Sequence, residues 1–165
     1  MLVLGCAALA MTTTPVNAGV IKAHAGTTFN LTPVAFDANG NPTMFTHTVD
    51  GVVRVSVLGN CTFHADVIVG APKTAQDPFT LAGTCRITSA DGSATLDAEV
   101  VGTGTPDPAN PSFLNFHYDV RFTGGTGPMA NARGTGDIDG FAMFTSASTG
   151  EATWVLQGNV STHGH

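Results

Sequence analysis

Apolar and polar residues alternate along most of this chain with a period of two, the pattern of β-strands that bury one face. The clearest stretch is residues 113–122. There Leu114, Phe116, Tyr118, Val120 and Phe122 share one face, while Phe113, Asn115, His117, Asp119 and Arg121 share the other. Residues 61–70 repeat the pattern, with Phe63, Ala65, Val67 and Val69 opposite His64, Asp66 and Ile68. Ala94, Leu96, Ala98 and Val100 alternate with Thr95, Asp97, Glu99 and Val101. Residues 77–104 are a hairpin candidate turning at Asp91-Gly92, and further strands are predicted near residues 26–36, 52–59, 135–145 and 152–160. The last carries Ala152, Trp154, Leu156 and Val160 on one face, with Gly158 interrupting the series. Turn chemistry separates these runs: "DANGNP" at 37–42, Asp91-Gly92, and the proline-rich "TPDPANP" at 105–111. Seven to nine short strands, roughly ten residues apart and without a helical period, predict an all-β fold. A single antiparallel up-and-down β-barrel of about eight strands is the first expectation, because closure removes exposed edges. A β-sandwich is the alternative.

Composition agrees and narrows the function classes. The chain has 165 residues, enough for one domain, with no break in composition that would mark a second. Twenty glycines and only 11% charged residues favour tight turns and short strands over long helices. The net charge is −6, with six Lys and Arg and no basic run. Nucleic acid is therefore not expected as a partner, since binding its phosphates needs clustered cations. No cofactor motif and no metal-ligating motif is present.

The N-terminus reads as a targeting segment. "LVLGCAALAM" at 2–11 is an apolar run, and "VNA" at 16–18 places small residues where signal peptidase reads them. The expected organisation is a signal peptide at 1–18 and a single β-barrel domain at 19–165, secreted or periplasmic, with no membrane segment after cleavage. No Lys or Arg precedes the apolar run, so the true start of the segment is open. A lipoprotein anchored through Cys6, or an ordinary N-terminal strand, are the competing readings. Removing 1–18 leaves Cys61 and Cys85. An even pair in an oxidising compartment predicts one disulfide. Such a bond would close a loop of about 25 residues and contribute roughly 3–4 kcal/mol in the chain-entropy model. Two buried thiols are the alternative, and neither cysteine has a partner at zinc-ligand spacing.

"RFTGGTGPMANARGTGDIDGF", at 121–141, holds six glycines. It lacks the Lys of a phosphate loop, and no helical period follows it, so nucleotide-binding readings fail. Glycines here suit a sharp corner followed by a bent strand. The segment Gly124 to Gly136 resembles the "GGTG-x-F-x-x-A-x-G" signature of the allene oxide cyclase-like and dirigent-like β-barrels. It is also similar to a large group of exported bacterial proteins of unknown role. The match covers Gly124, Gly125, Thr126, Gly127, Ala132 and Gly134. It departs at Met129, where the signature has an aromatic residue, and at Pro128, where the bacterial group has a basic one. A looser likeness extends over the last ~90 residues. The resemblance implies a barrel. Because a fold hosts many activities, it carries over no catalytic residue.

Chemistry-bearing side chains are sparse. His117, Asp119 and Arg121 share a strand face and are the catalytic candidates if that face lines the barrel. The solvent-face reading is the stronger one, because the opposite face is aromatic and aliphatic. Asp137 and Asp139 share a face of the next strand, and His64 and Asp66 pose the same ambiguity. Asp137, Tyr118 and Trp154 are the ligand-binding candidates. His47 and Asp50 are expected to flank an exposed turn, and His163 and His165 to lie at the chain end. No nucleophile elbow or zinc-protease motif is present. The leading expectation is a non-catalytic exported barrel, structural or binding a small hydrophobic ligand. A cyclase or isomerase working by holding substrate conformation in the lumen is the second, since positioning needs few titratable groups. A surface interaction module is the third.

Overall fold

Eight antiparallel strands close on themselves in the computed structural model, which describes residues 19–74 and 77–162. The strands are β1 (Gly19–Phe36), β2 (Pro42–Val55), β3 (Gly59–Gly70), β4 (Phe79–Ser89), β5 (Thr95–Asp107), β6 (Asn110–Thr126), β7 (Arg133–Phe144) and β8 (Thr149–Ser161). Each pairs with its neighbour in sequence, and β1 pairs with β8 from Gly19↔Val160 to Asn30↔Thr149. The fold is thus an up-and-down barrel in which every strand has a neighbour on both sides, and the last residues of β1, Thr32 to Phe36, run past the end of β8. The proposed signal segment, Cys6 and His163 and His165 lie outside the described residues.

Period-two alternation puts the apolar set inside. Phe63, Ala65, Val67 and Val69 of β3 are buried, as are Leu96, Ala98 and Val100 of β5 and Tyr118, Val120 and Phe122 of β6. Trp154 of β8 is 4% exposed and meets Phe63 edge-on, with ring centroids 4.8 Å apart. A large aromatic in such a place contributes about 3–5 kcal/mol, the usual cost of truncating it to Ala. The outward positions are mostly polar, including Lys22, His24, Thr28 and Asn30 on β1 and His117, Asp119 and Arg121 on β6. A transmembrane barrel has the opposite arrangement, with an apolar band outside.

The two ends of the barrel differ. At the end where β6 passes into β7, a 3₁₀ turn at Gly127–Met129 folds inward. It buries Met129 and Ala132 in the core, and Ile21, Val55, Leu96 and Val160 are also fully buried at this end. The glycine stretch makes this possible. Gly127 has φ +58°, a left-handed conformation that L side chains rarely adopt. Gly125 sits so close to β5 that a Cβ would run into the Thr95 carbonyl. The Arg133 guanidinium ties the corner by donating to the carbonyls of Thr123 and Ala132. A register shift between Asp97 and Ala98 leaves Thr123 as the extra residue of a bulge, which bends β6 here.

Three expectations are corrected. The strand expected at 52–59 is the end of β2, and residues 56–58 form the turn into β3. Most of that strand, Pro42 to Gly51, was not anticipated. The proline-rich stretch at 105–111 is largely strand, with only residues 108–109 connecting β5 to β6. The Cys61–Cys85 disulfide is absent, and both thiols are free. Register gives the reason. Cys85 lies opposite Ala65, and Cys61 opposite Ser89, so four residues of strand separate the two cysteines. At ~3.3 Å per residue that is about 13 Å, well beyond the ~7 Å limit between Cα atoms of a disulfide.

Candidate functional site

A cavity of about 240 Å³ occupies the barrel from its middle to the end opposite the 3₁₀ turn. Its floor and walls are Phe63, Ala65, Val100, Tyr118, Ile138 and Trp154. Leu31, Phe45, Phe79, Leu114, Phe116 and Phe144 line it nearer the mouth and are only partly buried. The space exists because small residues take inward slots among aromatics: Ala65, Ala142 and Ala152 all line it. The other end of the barrel is filled, so the lumen is a cup and not a channel.

Four polar side chains reach this lumen: Thr27, His47, Cys85 and Tyr118. The Thr27 hydroxyl donates to the Ala152 carbonyl at 3.3 Å and is therefore satisfied. Burial pushes the Cys85 thiol up to about 12, so it is un-ionised and unsuited to nucleophilic attack. Burial also raises the Tyr118 phenol well above its usual range, and a thiolate at Cys85 would raise it further. Burial pushes His47 the other way, down to about 4, so its imidazole is neutral. Both ring nitrogens of His47 are shut away from solvent and have no hydrogen-bond partner, the only such side-chain atoms among the described residues. Its ring lies edge-on to Phe29, centroids 5.2 Å apart.

His47 corrects the sequence reading, which put it at an exposed turn. It sits in the middle of β2, opposite Leu31 of β1 and Val67 of β3, between the inward Phe45 and Val49. The signal was the alternation Phe45, His47, Val49 against Met44, Thr46, Thr48. A polar residue in an inward slot hid it.

The catalytic candidates from sequence lie elsewhere. His117, Asp119 and Arg121 are all exposed on the outer face of β6. His117 Nδ1 is 2.8 Å from Asp139 Oδ1 across the β6–β7 ladder, and its Nε2 is 3.9 Å from Asp119. The Arg121 guanidinium pairs with Glu99 of β5. Asp137, opposite Asp119, is likewise exposed. One ligand atom from each of His117, Asp119 and Asp137 falls within 4.8 Å of the others. That set would suit a hard cation, but no feature beyond the acidic cluster itself points to one. A second outer cluster sets His64 between Asp50 at 2.7 Å and Asp66 at 3.2 Å. Of the ligand-binding candidates, Tyr118 and Trp154 line the lumen and Asp137 does not.

All six Lys and Arg side chains are exposed, and no Asp or Glu lines the cavity. The lumen therefore has apolar walls, three neutral polar groups besides Thr27, and no charge at neutral pH. Comparison with known proteins finds no matching family model, no matching curated protein and no matching solved structure.

Proposed function

We propose that this chain is an exported, non-catalytic barrel of the allene oxide cyclase-like and dirigent-like kind, and that its cup binds a small hydrophobic ligand. The observation that carries the reading is the cavity itself: about 240 Å³ of unfilled apolar space inside an otherwise packed fold. Protein interiors are close-packed, and an unfilled space of this size loses contacts that a few larger side chains would restore. Apolar pockets with a few placed polar groups are the usual form of small-molecule sites, though this one is below their common range of roughly 300–1,000 Å³. Titration also favours binding over acid–base chemistry. Proton transfer works best from a group whose pKa lies near the working pH. His47, pushed to about 4, and Cys85, pushed to about 12, are both far from it. Export is supported by the apolar run at 2–11 and the "VNA" at 16–18.

Calorimetric titration with small aromatic and alicyclic compounds tests the reading, with Ala65→Phe as a filled-lumen control. Saturable binding that Ala65→Phe abolishes is the expected result. No binding by the wild-type chain to any compound of this size would overturn it.

A further inference from the structure

The unmet hydrogen bonds of His47 specify the ligand more narrowly. This inference rests on the lumen-binding reading above. We propose that the cup takes a neutral, mainly apolar molecule bearing a hydroxyl group, and that His47 is the anchor for that hydroxyl.

The size follows from the volume. At the ~30 Å³ that one water occupies, about 240 Å³ admits on the order of ten non-hydrogen atoms. The neutrality follows from the walls. No Lys or Arg reaches the lumen to pair with an acid, and no Asp or Glu to pair with an amine. A buried, unpaired charge is costly enough that such ligands are excluded in their ionised forms. The hydroxyl follows from the imidazole. Neutral histidine offers one N–H donor and one bare acceptor nitrogen. Both lie shut away without partners in this barrel. A hydrocarbon would leave both unmet, and a carbonyl could engage only the N–H. A hydroxyl donates and accepts, so in either tautomer it can engage a nitrogen once the ring, both of whose nitrogens are covered in the ligand-free cup, turns one toward the ligand. Nothing else in the fold explains the residue. His47 makes no hydrogen bond that would serve stability, and its neighbours on β1, β2 and β3 are apolar. Buried polar atoms without partners are rare in native proteins, and a ligand that completes them is one explanation for their retention.

The probes are naphthalene, 2-naphthol and 2-naphthoate, each titrated calorimetrically into the wild-type chain, His47→Phe and His47→Gln. 2-Naphthol is expected to bind wild type at least about tenfold tighter than naphthalene, as one hydrogen bond that relieves a buried orphan would give. His47→Phe should lose that preference while still binding naphthalene, and His47→Gln, which keeps a donor and an acceptor, should retain part of it. In wild type, the imidazole ¹⁵N shifts of His47 should move with 2-naphthol and not with naphthalene. That readout stands even where a variant does not fold. Equal binding of naphthalene and 2-naphthol would overturn the anchor and leave the lumen-binding reading intact. Tightest binding of 2-naphthoate would overturn the neutral class. Absence of binding by all three would remove the lumen-binding reading and this inference together.

Discussion

His47 and the pair His64 and His117 belong to one sheet, yet strand parity gives them opposite chemistry. His47 points inward. Desolvation alone moves it, and it is pushed down to about 4 with both nitrogens unpartnered. His64 and His117 point outward and are held above the ordinary histidine value. For His64 the main cause is the hydrogen bond to Asp50, and for His117 the hydrogen bond to Asp139, each partly opposed by desolvation. The outer histidines spend their hydrogen-bonding capacity on carboxylates across the ladder. The inner one spends none. An exposed His–Asp cluster therefore looks more like an active site in sequence than in space, while the functional candidate is the histidine with no charged neighbour.

The largest expected effect is on acid stability. His47 has a folded value of about 4 against an unfolded value near 6.5. Above pH 6.5 it is neutral in both states and has no effect. As pH falls from 6.5 to 4 the unfolded chain takes up a proton that the folded chain refuses, so stability is lost across that window. The loss is about 3 kcal/mol, at ~1.4 kcal/mol per pH unit. The outer histidines run the other way. Their contribution is present below pH 6.5 and disappears as pH rises through their raised folded values. Urea unfolding of wild type and His47→Phe across pH 7 to 4 isolates the inner term by difference. A difference between the two chains that does not change with pH would break the contrast.

The next effect is at neutral pH. Replacing His47 by Phe removes two buried unsatisfied groups, and the ligand-free chain should gain about 1–3 kcal/mol. His117→Phe, an exposed change, should stay within about 0.5 kcal/mol of wild type. Thermal unfolding of both variants decides it. A destabilised His47→Phe would mean that the imidazole fits its slot better than its missing partners imply.

The third effect is smaller. His64→Gln and His117→Gln each remove an exposed ion pair, worth roughly 0–1 kcal/mol. The loss should be full below pH 6.5, fade as pH rises through the raised folded values, and shrink in high salt, because exposed pairs are screened. Equal losses at pH 5 and pH 8.5 would show that packing and not charge is involved.

These contrasts also show why part of the molecule was legible in the sequence. β6 could be read from Leu114 to Phe122 because every inward residue is apolar and nearly every outward one is polar. The corner at Gly124 to Gly136 was legible because positive φ and close backbone approach select for glycine. β2 was not, because His47 breaks the inward apolar series and Met44 breaks the outward polar one. The same residue thus hid both the strand and the candidate site. The cysteine spacing misled for another reason. Which residues face each other depends on strand register, and nothing local to Cys61 or Cys85 encodes that Cys85 pairs with Ala65.

The smallest effect probes how the outer cluster is built. Three carboxylates raise His117: Asp139 by hydrogen bond and charge, then Asp119 and Asp137 by charge alone. Removing each charge should lower the His117 titration midpoint in that order, most for Asp139→Asn and least for Asp137→Asn. The reason is geometric. Asp139 lies 2.8 Å from Nδ1 and can accept a directed hydrogen bond, whereas Asp119 lies 3.9 Å from Nε2 and acts through charge. Proton NMR titration of the ring signals measures all three variants on one scale. His47 is the internal reference, since none of these substitutions touches the lumen and its midpoint should not move. A shift of His47 with Asp139→Asn would show that the two faces of the barrel are coupled. The outward histidines would then be reporting on the cup and not only on the solvent.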